Sequence, residues 1–187
     1  MPIPRSAVRR NNKIYGMTMT AVMAAVICVL SPMVIPIGPV PITLANLAMY
    51  FSLYLLGVRK GVASCLVYVL IGMAGVPVFA GFTGGAAKLF GPTGGYIAGY
   101  LFMVMIAGVF VERTKNRALH FIGILTGTAV CYALGTLWYC VSMESGIGAA
   151  LALCVIPFIP GDLVKIVLAI TVGPMIRDRL EKAGLLK

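Results

Sequence analysis

The chain has 187 residues, of which 60% are hydrophobic and only 11% are charged, and its apolar runs are too long to be strands. This excludes a soluble globular domain and describes a polytopic integral membrane protein, folded as a single membrane domain over 1–187. The formal charge of +10 would suit nucleic acid by its sign, but the positions of the basic residues assign it to the membrane.

The first apolar run, about 14–35, follows Arg5, Arg9, Arg10 and Lys13. Further runs of similar length come after it and no small-residue processing site ends it, so it is a spanning helix and not a cleaved signal peptide. Ala21 and Ala25 lie one turn apart on it, a small-residue pair that lets helices approach closely. Such a pair faces either a neighbouring helix or a partner subunit. The loop "IPIGPVPIT" at 35–43, stiffened by Pro36, Pro39 and Pro41, leads into a span at 43–58, and Arg59 and Lys60 separate that from a span at 61–80. A glycine-rich stretch, "FAGFTGGAAKLFGPTGG" (79–95), precedes a span at 93–111. Arg113, Lys115 and Arg117 then lead to a span at 118–141. The loop at 142–161 contains the apolar "IGAALALCVIPFIP", and the last span, 161–176, is followed by Arg177, Arg179, Lys182 and Lys187. The second and sixth spans, at about 16 residues, reach only about 24 Å, less than a typical hydrocarbon core of about 30 Å.

Six all-α spans place thirteen of the fifteen Lys and Arg at one membrane face with both termini, and the positive-inside rule makes that face cytoplasmic. The connections on that side are short and basic. Those on the other side are long and apolar, and an apolar outer loop must pack on lipid, on the bundle or on a ligand. Function therefore points outward.

Outside the cytoplasmic face only Lys88, Glu144, Asp162 and Lys165 are charged. Glu144, in "SMESG", is a solvated loop carboxylate. Lys88, flanked by "GGAA" and "LF", either lines a site or snorkels to the interface. Asp162 follows Pro160 and Gly161 and precedes an apolar helical run, the position of a helix N-cap. Lys165, three residues on, shares its helical face, where a cation opposes the helix dipole. Burying it at the bilayer centre costs about 2.5–3.5 kcal/mol, less near the interface, so it calls for a partner. Asp162 supplies part of that partner, and either a bound ligand or purely structural pairing supplies the rest.

Other chemistry is excluded. His120 is the sole histidine, without a second one to form a metal pair, and it suits an interfacial or packing role. "GGAAK" is not a phosphate loop, because Ala87 stands where Gly must precede Lys and no Ser or Thr follows. Cys28, Cys65, Cys131, Cys140 and Cys154 are scattered through apolar segments without metal or disulfide spacing. Neither a nucleophile–base pair nor a metal constellation marks an enzyme. Gly95 and Gly99, and Gly123 and Gly127, are further small-residue pairs suited to internal packing.

Four stretches, "IGPVPITLANLAMYFSLYLLG", "GVPVFAGFTGG", "GPTGGYIAGY" and "PFIPGDLVKIVLA", occur in order over nearly the whole chain and together resemble the BioY family. Its members are biotin-binding S components of energy-coupling-factor (ECF) vitamin transporters. The resemblance implies six helices in the cell membrane and an outward biotin pocket roofed by the three outer loops. It also implies partnership with a transmembrane coupling subunit and two ATPases, in addition to membrane lipid and with no nucleic acid or cofactor. Ala21 and Ala25 resemble the alanine motif by which S components dock on that coupling subunit. Biotin offers a carboxylate, a ureido group with N–H donors and a C=O, and an apolar bicycle, so its pocket needs a cation, an acceptor and apolar walls. Lys165 suits either the carboxylate or the ureido oxygen, Asp162 the ureido N–H groups, and Asn46 or Tyr96 a neutral hydrogen bond. Phe79, Phe82, Phe90 and Trp138 are candidate walls, and Gly84, Gly85, Gly94 and Gly95 would permit close backbone approach. Lys88 lies between two of the stretches and in neither. The function implied is capture of biotin outside and its release inward when ATPase subunits are coupled. The alternative is a stand-alone secondary carrier for biotin or another small vitamin-like carboxylate.

Overall fold

The computed structural model describes residues 5–36 and 40–186, with the backbone alone for 5–12. The expectations placed on Pro39, on Lys187 and on the side chains of Arg5, Arg9 and Arg10 lie outside the described residues.

The described chain is all-helical apart from one two-stranded ribbon. Its elements run α1 (Arg5–Leu30), β1 (Val34–Ile35), β2 (Ile42–Thr43), α2 (Ala45–Met73), α3 (Ala86–Phe90), α4 (Gly94–Arg113), α5 (Arg117–Met143), α6 (Ile147–Cys154) and α7 (Ile159–Lys182). Seven helices are therefore present among the described residues where six were expected. Two of them, α3 and α6, are short, were not expected and form inside the outer loops, while two expected spans share one helix. Five helices, α1, α2, α4, α5 and α7, are long and apolar enough to cross a membrane.

The expected spans at 43–58 and 61–80 fall together in α2, which is broken at Gly57 (φ 76°, ψ 179°). The chain doubles back there. A side-chain carbon on Gly61 would lie 3.6 Å from the backbone nitrogen of Leu53, and Cys65 Sγ sits 3.9 Å from Met49 Sδ, although 16 residues of straight helix would part them by about 24 Å. Beyond the break, the Val58 N–H points to Glu112 Oε2 at 3.4 Å, so the end of α4 faces the start of the second half. Only glycine occupies this backbone region readily. Gly57→Ala meets no close neighbour, the nearest being Glu112 Oε1 at 3.7 Å from the added carbon. Backbone strain alone should therefore destabilise that variant, by about 1–3 kcal/mol. Thermal unfolding in detergent measures it, and an unchanged midpoint would refute the assignment of strain to this residue.

Helix ends depart from the expected ones for local reasons. α1 begins earlier and stops at Leu30, because Pro32 disfavours helix at the residue before it. The second half of α2 stops at Met73 and not at 80, because Gly75 takes a left-handed conformation (φ 101°) and Pro77 follows. α7 begins at Ile159, ahead of the expected 161, with Pro160 in its first turn, where no amide donor is needed.

α2 packs against α1, α4 and α7, and α5 packs against α4, α6 and α7. The α4–α5 contact is close because glycines face side chains or backbone across it. A side-chain carbon on Gly99 would lie 3.0 Å from Cys131 Sγ, one on Gly127 would lie 2.7 Å from the Met103 carbonyl oxygen, and those on Gly95 and Gly123 would overlap Trp138 and Phe110. The glycine pairs of α4 and α5 thus serve internal packing. Ala21 and Ala25 are exposed on α1. His120 is buried in the α5 end beside the basic connection, bonded to Tyr54 Oη at 3.2 Å and the Thr114 carbonyl at 2.9 Å, a packing role. All five cysteines are free.

Candidate functional site

The charged pair of α7 lies inside the helix and not at its cap. The N-cap is Phe158, and the Asp162 N–H already donates to the Phe158 carbonyl at 2.9 Å, so the expected capping role of Asp162 is wrong. Its carboxylate points inward and accepts three hydrogen bonds. Asn46 Nδ2 and Lys165 Nζ both reach Oδ1 at 2.8 Å, and Tyr132 Oη reaches Oδ2 at 2.5 Å. Lys165 also donates to the Thr43 carbonyl at 2.8 Å. Asp162, Lys165 and Asn46 are only 6–7% exposed, so ions that would be costly to bury singly are buried as a bonded pair.

Each partner is set by its own element. Asn46 stands in the first turn of α2, and its side-chain oxygen accepts the Leu47 N–H at 3.1 Å, which turns the amide nitrogen to Asp162. Thr43 ends β2. Its hydroxyl accepts the Ala45 N–H at 3.0 Å and donates to the Ser31 carbonyl at 2.7 Å, joining the first outer loop to the ends of α1 and α2. Val34 pairs with Thr43 and Ile35 with Ile42, so this loop is a ribbon over the site. Tyr96, in the first turn of α4, bonds Thr136 Oγ1 at 3.3 Å and the Cys154 carbonyl at 3.1 Å, tying α6 down.

Two adjoining lobes open beside the cluster, sharing Val40, Pro41, Thr43, Tyr96 and Tyr100 as walls. The first adds Asn46, Tyr132, Phe158, Asp162 and Lys165, and the second adds Ser31, Tyr68, Phe79, Lys88 and Thr93. Both are narrow, about 40 and 30 Å³ measured to the centre of a water-sized sphere, which is space for very few waters. The ribbon and the aromatic walls set that width. In the second lobe Thr93 Oγ1 is buried without a hydrogen-bond partner among the described residues, and no carboxylate pairs with Lys88 there. Phe79 is fixed edge-on to Tyr68, with ring centroids 5.6 Å apart.

Of the residues named from the sequence, Asp162, Lys165, Asn46 and Tyr96 thus meet at the first lobe, and Lys88 and Phe79 at the second. The remaining ones do not line either lobe. Phe82 and Phe90 are exposed, and Trp138 bonds the Gly91 carbonyl at 2.9 Å from the far side of α4. Gly84 and Gly94 are required by packing, since a side-chain carbon on either would overlap the carbonyl of Val76 or of Leu89. Gly85 has φ 93° and serves its turn. Tyr132, Tyr100, Thr43, Thr93 and Phe158 were not named from the sequence. For Tyr132, Tyr100, Thr43 and Thr93 the one available signal was a hydroxyl in an otherwise apolar stretch; Phe158 carries no such mark. Among the described residues no group of acidic, His or Cys side chains is placed to hold a metal.

Counting valences shows what the first lobe can bind. Asp162 retains an acceptor site on Oδ2, Lys165 one N–H and Asn46 one N–H. A group presenting a donor and an acceptor side by side, as a urea or amide does, would satisfy them.

Comparison with known proteins gives concordant results. A family model described as the BioY family matches residues 6–182. The "Biotin transporter BioY2" of Lactococcus lactis subsp. cremoris is 37% identical over 165 residues, 88% of this chain and 91% of that protein. The "Biotin transporter BioY" of Thermotoga maritima is 38% identical over 135 residues, covering 72% and 79% respectively. The fold is similar to the crystal structure of the S-component for biotin from an ECF-type ABC transporter, with a TM-score of 0.83, 30% identity and 95% of each chain covered.

Proposed function

Because the chain belongs to the BioY family, we propose that the lobes beside Asp162 and Lys165 are its biotin site. The protein is a multi-pass, biotin-binding membrane subunit of the ECF type. The observation that carries the site is the match of valences. One ureido N–H meets the free acceptor site of Asp162, and the ureido oxygen takes the spare N–H of Lys165 and of Asn46. The pair is neutral as a whole and so holds little net attraction for a carboxylate. Among the described residues that line the lobes, the cation without a carboxylate partner is Lys88, beside the unsatisfied Thr93 hydroxyl. The valeryl tail therefore runs along Tyr96 and Tyr100 to place its carboxylate there.

The outer face is the capture side, and Ala21 and Ala25 on the exposed side of α1 are the docking residues for a coupling subunit that works with two ATPases. The doubling back at Gly57 supports six crossings. A straight α2 would carry Arg59 and Lys60 into the hydrocarbon at about 2.5–3.5 kcal/mol each at its centre, whereas the turn holds them at the face shared with the other basic connections. Both termini are then cytoplasmic. The chain itself does transport work and not chemistry.

Calorimetric titration of biotin into the detergent-purified chain tests the site. Saturable one-to-one binding is expected, and its absence in a chain with a sharp thermal transition would overturn the proposal. Lys88→Ala tests the pose. Affinity for biotin should fall about tenfold, which is about 1.4 kcal/mol, while affinity for the uncharged biotin amide stays within twofold. Equal losses for both ligands would refute the placement of the carboxylate.

A further inference from the structure

On the outside of the bundle, away from the biotin lobes, α1 and the second half of α2 run side by side and enclose a groove of about 610 Å³ on the same measure, far wider than either lobe. Its floor is closed by Ser64 Oγ, which donates to the Thr20 carbonyl at 3.0 Å. Its walls are Gly16, Met17, Ala21, Ala63 and Val67, and Met17 is 73% exposed. Among the described residues the charges on it are Lys13 and Lys60, at the end where α1 begins. The Lys60 stem lies across α1, with Cε 3.2 Å from where a side-chain carbon on Gly16 would be, which holds the ammonium over the groove mouth. Among the described residues no carboxylate lies within ion-pair distance of either lysine.

Length and charge together select the occupant. Eight residues of α1 separate Lys13 from Ala21, roughly 12 Å, close to the depth of about 15 Å of one leaflet's hydrocarbon. The groove therefore has a cationic head at the interface and apolar walls about one leaflet long. We propose that it binds one anionic phospholipid, with the headgroup phosphate between Lys13 and Lys60 and an acyl chain along Gly16, Ala21, Ala63 and Val67. A spanning helix from a second copy would need an apolar face across both leaflets and would leave the two ammonium groups unpaired. Ala21 is also one of the residues proposed to meet a coupling subunit, so lipid and subunit exclude one another at this groove; the lipid site itself does not rest on the biotin reading.

The test is native mass spectrometry of the delipidated full chain, titrated in mild detergent with dioleoylphosphatidylglycerol or dioleoylphosphatidylcholine. One phosphatidylglycerol per chain is expected, with at least tenfold preference over phosphatidylcholine. Lys13→Gln with Lys60→Gln should reduce that preference to less than twofold, and Ala63→Leu should weaken both lipids, with biotin binding intact in each variant as the check on folding. Equal binding of the two lipids, a preference that survives loss of both lysines, or a lipid-free dimer that Ala63→Leu disperses would each overturn the proposal.

Discussion

Biotin is expected to lose between two and four orders of magnitude in affinity when Lys165→Met and Asp162→Asn are combined, while the fold keeps most of its stability. The first substitution alone removes the cation bonded to Asp162 at 2.8 Å and leaves a buried carboxylate with only Asn46 and Tyr132 as donors. Breaking a buried pair in this way costs about 3–5 kcal/mol. Adding Asp162→Asn removes the stranded charge, and the amide still accepts from Asn46, so unfolding returns toward the native midpoint. Binding does not return, since two charge-assisted hydrogen bonds to the ureido group are gone, at about 1.5–3 kcal/mol each. Thermal unfolding and titration on the two single variants and the double variant separate stability from binding. A double variant that bound biotin within threefold of the native chain would make the cluster a structural feature only.

Gly135→Ala should have the second largest effect, although the residue touches no ligand. A side-chain carbon there overlaps the Tyr96 ring. The ring cannot yield freely, because its hydroxyl is bonded to Thr136 at 3.3 Å and to the Cys154 carbonyl at 3.1 Å, and Tyr96 walls both lobes. Overpacking of this kind destabilises by about 1–3 kcal/mol, and biotin affinity should fall at least tenfold as the wall moves. Gly148→Ala is the control. It lies in α6 with no atom within 4 Å of the added carbon, so helix propensity alone acts and stability rises by less than about 1 kcal/mol. Unchanged unfolding and affinity in Gly135→Ala would show that Tyr96 repacks without consequence and does not shape the site.

The charged part of the site was legible because charge is rare in this chain. Asp162, Lys165 and Lys88 stand out against apolar neighbours, and each lines a lobe. What each does locally was less legible. Pro160 and Gly161 read as the residues that lead into a helix, yet α7 starts ahead of them, and that displacement turns an expected cap into an inward carboxylate. Tyr132 was invisible for another reason: it lies 30 residues from Asp162, and a tyrosine in a span looks the same whether it anchors an interface or donates to a buried acid. The loop glycines misled in the opposite direction. Gly84 and Gly94 have backbone against them where a ligand was expected. Arg59 and Lys60 marked the turn between two spans, and the chain makes it in a single residue just ahead of them, because only Gly57 departs from helical geometry.

The narrowness of the two lobes has a consequence for the cell's energy supply. The polar cluster is bonded to itself, and the space around it admits too few waters to form a file. Toward the other end of the bundle lie Met49, Tyr50, Leu53 and Met103, all fully buried, with the Tyr50 hydroxyl closed onto Thr128 at 2.8 Å. Among the described residues, protons and small ions thus find neither room for a wire of water nor a chain of unpaired side chains leading inward. A bundle closed in this way preserves the voltage of the membrane that it crosses.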